Sequence, residues 1–142
     1  MKLSPIHKMK PGTAPAIPFV DVWRLIDASY GVEQRSRGIG REDYANNAFE
    51  FISSLERVEQ YVTTDDGTVI ASVIYAAAVD IHYGVVASPV SVLIHPDYRG
   101  ERLVAAMVAK SIRNVVKKLG VSFYYVCKHT GFGLIQFKLK GL

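Results

Sequence analysis

Hydrophobic spacing changes period twice along this chain. Val22, Trp23, Ile26 and Tyr30 recur at helical spacing and predict a short first helix. Tyr44, Ala48, Phe51 and Leu55 predict a second, starting near Arg41, with Glu42 and Asp43 suited to the positive end of its dipole. The period then shortens to two. Val58 to Thr63 predicts a strand, Asp65-Asp66-Gly67-Thr68 a tight turn, and Val69 to Val79 a long buried strand. Gly84 marks a second reversal, and Val85 to Ile94 predicts a returning strand with an irregularity at Pro89. From Glu101 to Leu119 the helical period is back: Val104, Val108, Ile112, Val115 and Leu119 line one side, Lys110, Arg113 and Lys117 another, and Gly120 is a good stop. Val121 to Cys127 predicts a strand, and Phe132 to Lys140 a last short helix.

Residues 1–19 hold four of the six prolines and show no period, which predicts an extended arm with a short strand near Ala16 to Val20. Residues 20–142 then form one domain, the expected number for a chain of 142 residues. Apolar residues at 49% and charged residues at 21% allow a packed interior and exclude general disorder. A single cysteine, Cys127, excludes an internal disulfide framework, and His7, His82, His95 and His129 stand at no metal-ligand spacing. Val69 to Val79 falls short of the roughly 20 apolar residues that span a bilayer, and prolines interrupt the N-terminus where a signal peptide needs an apolar run. No membrane contact and a reducing, cytoplasmic setting are the expectation.

Charge is sorted along the chain. Residues 1–20 carry three lysines and no acid; residues 21–101 carry six arginines against thirteen acids; residues 102–142 carry eight basic residues and no acid at all. An acid-free final third suits an anionic partner, such as nucleic acid, a phosphorylated cofactor or an acidic protein face, and equally suits a solvated basic surface. No nucleic-acid reader motif accompanies it. Arg35-Ser36-Arg37-Gly38-Ile39-Gly40-Arg41 reads as a basic loop running into a helix start. Alternation in the Phe123 to Cys127 strand puts Phe123 and Tyr125 in the core and Tyr124 on the other face.

The chemistry concentrates where a strand passes through His95-Pro96-Asp97-Tyr98-Arg99-Gly100-Glu101-Arg102-Leu103 into the long helix. Such a loop presents unpaired backbone N–H groups at the positive end of the helix dipole, an anion site for phosphate or pyrophosphate. Gly100 permits close backbone approach, and Arg99 and Arg102 add positive charge. Candidates for a general base are His95, just past the strand, and His129, where the next strand ends.

The order of elements from Arg41 to Gly141, together with Pro96-x-Tyr98-Arg99-Gly100-x-x-Leu103, resembles the GNAT superfamily of N-acetyltransferases, and within it the small acetyltransferase-like proteins of tailed phages. The resemblance implies an α/β (α+β) fold: a mixed sheet with flanking helices, antiparallel from Val58 through Ile94, with the Val90 to Ile94 and Val121 to Cys127 strands parallel. It implies acetyl-CoA or CoA as cofactor. Val92, Leu93 and Ile94 would bond the pantetheine arm, and Arg99, Gly100, Glu101, Arg102, Leu103 and Val104 would grip the pyrophosphate. An acceptor amine, deprotonated through His95, His129 or water, would attack the thioester.

Three departures bear on activity. Arg102 and Val104 stand at the two small-residue positions of the family loop. The family pattern Asn-x-x-Ala-x-x-x-Tyr falls on Thr130, Gly133 and Phe137, so a phenyl ring stands where the family keeps the tyrosine that protonates the leaving thiolate. Gly141-Leu142 stands where family members run from Gly-Phe into two more strands, which implies a sheet truncated before its last two strands and an open edge at Val121 to Cys127. The expected protein is therefore a GNAT-like acyltransferase fold with weak or lost catalysis, or alternatively a non-catalytic structural or interaction protein of a phage virion. In either case a homo-oligomer or larger assembly would cover the open edge.

Overall fold

Strand β3 (Arg57–Thr63) is buried on both faces over Arg57 to Val62, and the rest of the molecule is arranged around it. The computed structural model describes residues 1–142, in which β3 lies near one side of a seven-stranded mixed sheet. Its outer edge pairs antiparallel with β1 (Lys2–Leu3) and β2 (His7–Met9), its inner edge with β4 (Val69–Asp80). Strand β5 (Gly84–Ile94) returns antiparallel to β4, followed across the sheet by β6 (Phe123–Gly131) and β7 (Leu134–Gly141).

Helix α4 (Arg102–Leu119) covers one face, where Val104, Val108, Ile112, Val115 and Val116 pack with Val58, Val62, Ile70, Val73 and Tyr124. Burial of each such side chain stabilises by about 1.5–3 kcal/mol, so this stripe is the main apolar contribution to the fold. Gly120 ends the helix in the left-handed conformation (φ 76°). On the other face lie α1 (Phe19–Ala28) and α3 (Arg41–Ser54), joined by the short α2 (Val32–Ser36), with Val22, Ile26, Ala45 and Ile52 packed on Ile74.

The arm is fastened by a buried polar network. Arg57 Nε donates to Glu59 Oε2 at 2.6 Å, and both side chains are fully buried. Tyr61 Oη and the Ala16 N–H both donate to Glu59 Oε1, at 2.6 and 2.9 Å. The remaining Arg57 nitrogens donate to the carbonyls of Leu55 (2.9 Å) and Thr13 (2.8 Å). Burial, and then the Glu59 carboxylate beside it, push the Tyr61 phenol far up. The strand expected near Ala16 to Val20 is absent; pairing takes place at β1 and β2, and Phe19 already opens α1.

The C-terminal end corrects the sequence reading. Leu134 to Gly141 is a strand, not a helix, and hairpins onto β6 through Phe132 and Gly133, the latter at φ 72°. The cue lay in alternation: Ile135, Phe137 and Leu139 interleave with Gln136, Lys138 and Lys140. The sheet therefore is not truncated before its last two strands; β6 and β7 are both present, and pairs from Phe123↔Gly141 to Gly131↔Leu134 cover the edge expected to be open. Tyr124, not Phe123, is the buried ring of β6, because α4 packs on the Tyr124 face. The β4–β5 hairpin runs past the sheet, so burial ends at Tyr75 and Val79 is exposed.

Candidate functional site

Strands β5 and β6 are parallel, as expected, but pair only at Ala87↔Tyr124. Beyond that point β5 turns away. In the β4–β5 ladder Ile74 pairs with Ser91 and Tyr75 with Pro89, leaving Val90 as an extra residue, and Pro89 has no N–H to offer. The gap widens toward the C-terminal ends of both strands, the end at which α4 begins, where open parallel sheets commonly take their ligands.

A cavity of ≈ 340 Å³ fills this gap. It reaches from Ile112 of α4, on one sheet face, to Ile26, Tyr44, Ala48 and Ile52 of α1 and α3 on the other. Pro89 to Leu93 form one side wall; Val126, Cys127, His129 and Phe137 form the other. Its polar groups are few. Ser29 Oγ and Tyr44 Oη are 2.6 Å apart, and Tyr75 Oη donates to the Tyr125 carbonyl at 2.8 Å. Burial pushes both the Tyr75 phenol and the Cys127 thiol up, so both stay protonated at neutral pH.

Helix α2 bridges two walls of this cavity. It starts three residues after Ser29, and Glu33 Oε1 accepts the Gly133 N–H at 2.7 Å in the β6–β7 turn. Arg37 lies over the Phe132 ring, 5.3 Å from its centroid.

The structure brings only some of the expected residues together. Val92, Leu93 and His129 line the cavity. Ile94 lies beyond the lining and accepts from Arg99 Nε through its carbonyl at 3.1 Å. His95 does not reach the cavity: it caps the single 3-10 turn Pro96–Tyr98, its Nδ1 accepting the Asp97 N–H at 3.3 Å. Thr130 and Gly133 sit at the end of β6 and in the hairpin turn, so the helical pattern carried onto them and Phe137 has no helix to occupy; Phe137 pairs with Cys127 across the hairpin. Ser29 and Tyr44 were missed, because nothing in their spacing ties them to residues a hundred positions on.

The loop before α4 keeps the features expected of an anion site. Gly100 has φ 85°, with open space where a Cβ would stand. The N–H groups of Gly100, Arg102, Leu103 and Val104 have no acceptor within the chain, the first helical bond being Ala105 N–H to the Glu101 carbonyl at 3.0 Å. The Glu101 side chain makes no cap. Val104 is fully buried under α4, so its bulk points into the core rather than over the loop.

No family profile and no curated protein sequence matches the chain. Solved structures do. A GCN5-related N-acetyltransferase from Kribbella flavida superimposes with a TM-score of 0.55 at 21% identity, over 91% of this chain and 30% of that one. The ribosomal-protein-S18-alanine N-acetyltransferase of Escherichia coli gives 0.53 at 14%, over 92% and 69%. PaiA N-acetyltransferase from Thermoplasma acidophilum, solved in complex with coenzyme A, gives 0.52 at 15%, over 93% and 82%. The chain has the GNAT fold. It spans under a third of the Kribbella protein. No helix is long and apolar enough to cross a membrane, and no group of three or more His, Cys, Asp or Glu side chains is placed to hold a metal ion.

Proposed function

We propose that this chain binds an acyl-CoA along the gap between β5 and β6 and transfers the acyl group slowly to an amine. The observation that carries this reading is the set of unpartnered N–H groups of Gly100, Arg102, Leu103 and Val104, just beyond the end of β5 where it parts from β6 beside a cavity. Those donors, with Arg102 exposed beside them, suit a pyrophosphate, and the β6-facing edge of β5 beyond Ala87 suits the pantetheine amides. The bound cofactor would supply the thioester, the activated form of the acyl group. His129 is the imidazole on the cavity wall and takes the role of proton acceptor; His95, held by its own turn, does not. Phe137 brings no hydroxyl to that wall, and this supports slow turnover.

Calorimetric titration with CoA tests the reading. Wild-type protein binds, Gly100→Val loses at least about tenfold in affinity because a β-branched residue resists the left-handed backbone, and Arg35→Ala is unchanged. Absence of binding by the wild type, or equal loss in both variants, overturns it.

A second reading, a non-catalytic interaction protein on the same fold, is favoured by the apolar outer strand, where Leu134, Ile135 and Phe137 are all at least half exposed. It would place the chain in a homo-oligomer or larger assembly, a virion included. Sedimentation separates the readings: a monomer that acylates amines excludes this one.

A further inference from the structure

Resting on that acyltransferase reading, we propose that the acceptor enters the cavity as an uncharged amine with an apolar body and a low amino pKa, of the class of an apolar amino-acid α-amine, rather than as a lysine side chain or a polyamine. No Asp, Glu, Lys or Arg lines the cavity. Its titratable wall groups are Tyr44, Tyr75, Cys127 and His129, none of them a carboxylate. Strands β5, β6 and β7 and helix α4 contain no acid anywhere along their lengths.

Acids on the other flanking elements are engaged or turned outward. On α1, Asp21 is half-buried but outside the cavity lining, at the end of the helix away from Ser29, and Asp27 accepts from Arg41 at 3.3 Å. On α2, Glu33 accepts the Gly133 N–H and faces Arg37 Nε at 3.7 Å. On α3, Glu42, Asp43 and Glu50 are exposed, off the Tyr44, Ala48, Phe51 and Ile52 stripe that meets the cavity. Asp80 of β4 accepts from Tyr125 Oη at 2.7 Å. An ammonium entering here sheds water and meets no counter-charge, so the cavity selects the neutral form. A neutral amine needs only hydrogen-bond partners, which the Ser29 and Tyr44 hydroxyls and the His129 imidazole supply.

The selectivity follows from ordinary amine pKa values, about 7.8 for an α-amine and 10.4 for lysine: near pH 7.5 roughly one third of the first is neutral but only about one part in 800 of the second. At equal intrinsic affinity that is a preference of about 250-fold.

Protein saturated with CoA is titrated calorimetrically with phenylalaninamide, Nα-acetyl-lysinamide and spermidine, near pH 7.5 and again near pH 9. Phenylalaninamide binds at least about 100-fold more tightly than the lysine probe at the lower pH, and spermidine does not bind. Raising the pH strengthens the lysine probe about 30-fold and phenylalaninamide only about threefold, following their neutral fractions. Ala48→Asp, or Ser29→Asp should the first variant fold poorly, puts a carboxylate on the wall and strengthens the lysine probe at least about tenfold near pH 7.5. Equal or tighter binding of the lysine probe or spermidine, affinity that does not rise with pH, or no effect of the added carboxylate overturns the proposal. So does binding of CoA with none of the three amines taken up. Failure to bind CoA refutes the acyltransferase reading itself, and is seen before any amine is added.

Discussion

Replacing Glu59 by Ala removes the acceptor at the centre of the buried network under the arm. The Arg57 guanidinium, fully buried, loses the carboxylate 2.6 Å away and keeps only the carbonyls of Leu55 and Thr13. The Tyr61 hydroxyl and the Ala16 N–H are orphaned at the same time. Breaking one side of a buried ion pair costs about 3–5 kcal/mol, because the remaining charge stays in a medium that cannot solvate it. For a domain of this size that lowers the thermal midpoint by roughly 10–17 °C. Replacing both partners together, Arg57→Met with Glu59→Met, strands no charge and should cost less than Glu59→Ala alone, although it removes more hydrogen bonds. Urea denaturation followed by the fluorescence of Trp23, the only tryptophan, measures both variants with the wild type. A loss below about 1 kcal/mol for Glu59→Ala, or a double variant less stable than the single, would refute the argument that an uncompensated charge dominates.

Three further outcomes follow from the same geometry. Because burial holds the Cys127 thiol above its ordinary range, its alkylation by iodoacetamide should be slow at neutral pH, still be rising near pH 9, and be suppressed by CoA; fast alkylation at neutral pH, unaffected by CoA, would contradict the cavity assignment. The Tyr125 hydroxyl, followed by the His82 and Tyr83 N–H groups, holds the Asp80 carboxyl below its usual range, so its contribution to stability is present at neutral pH and is lost as pH falls through that lowered value; Tyr125→Phe should raise the Asp80 titration toward the ordinary carboxylate range in a carboxyl NMR titration. Phe137→Tyr adds a hydroxyl to the cavity wall and should raise the single-turnover acyl-transfer rate about tenfold or more, with CoA affinity unchanged.

Local periodicity alone determined most of the elements. The stripe from Val104 to Leu119, the Val69 to Ile94 hairpin and the loop between His95 and Val104 were legible because each depends on residues within a turn or a pleat of one another. The parallel pairing of β5 with β6 follows from the helix between them. Tertiary structure decided the rest. Whether Tyr124 or its neighbours go inside depends on which face of β6 receives α4, and alternation is silent on that choice. The last eight-residue element fits either a short helix or a strand by composition, and the open flank of β6 settles it, because pairing there satisfies backbone groups that an isolated helix would leave exposed. The cavity was the least legible feature. Its walls come from α1, α3, β4, β5, α4, β6 and β7, and it exists because β5 and β6 share one paired position before the residue added at Val90 turns β5 aside. A sequence carries the bulge as a proline in a strand; only the packed sheet turns it into a gap, since the space depends on where the next strand over is held.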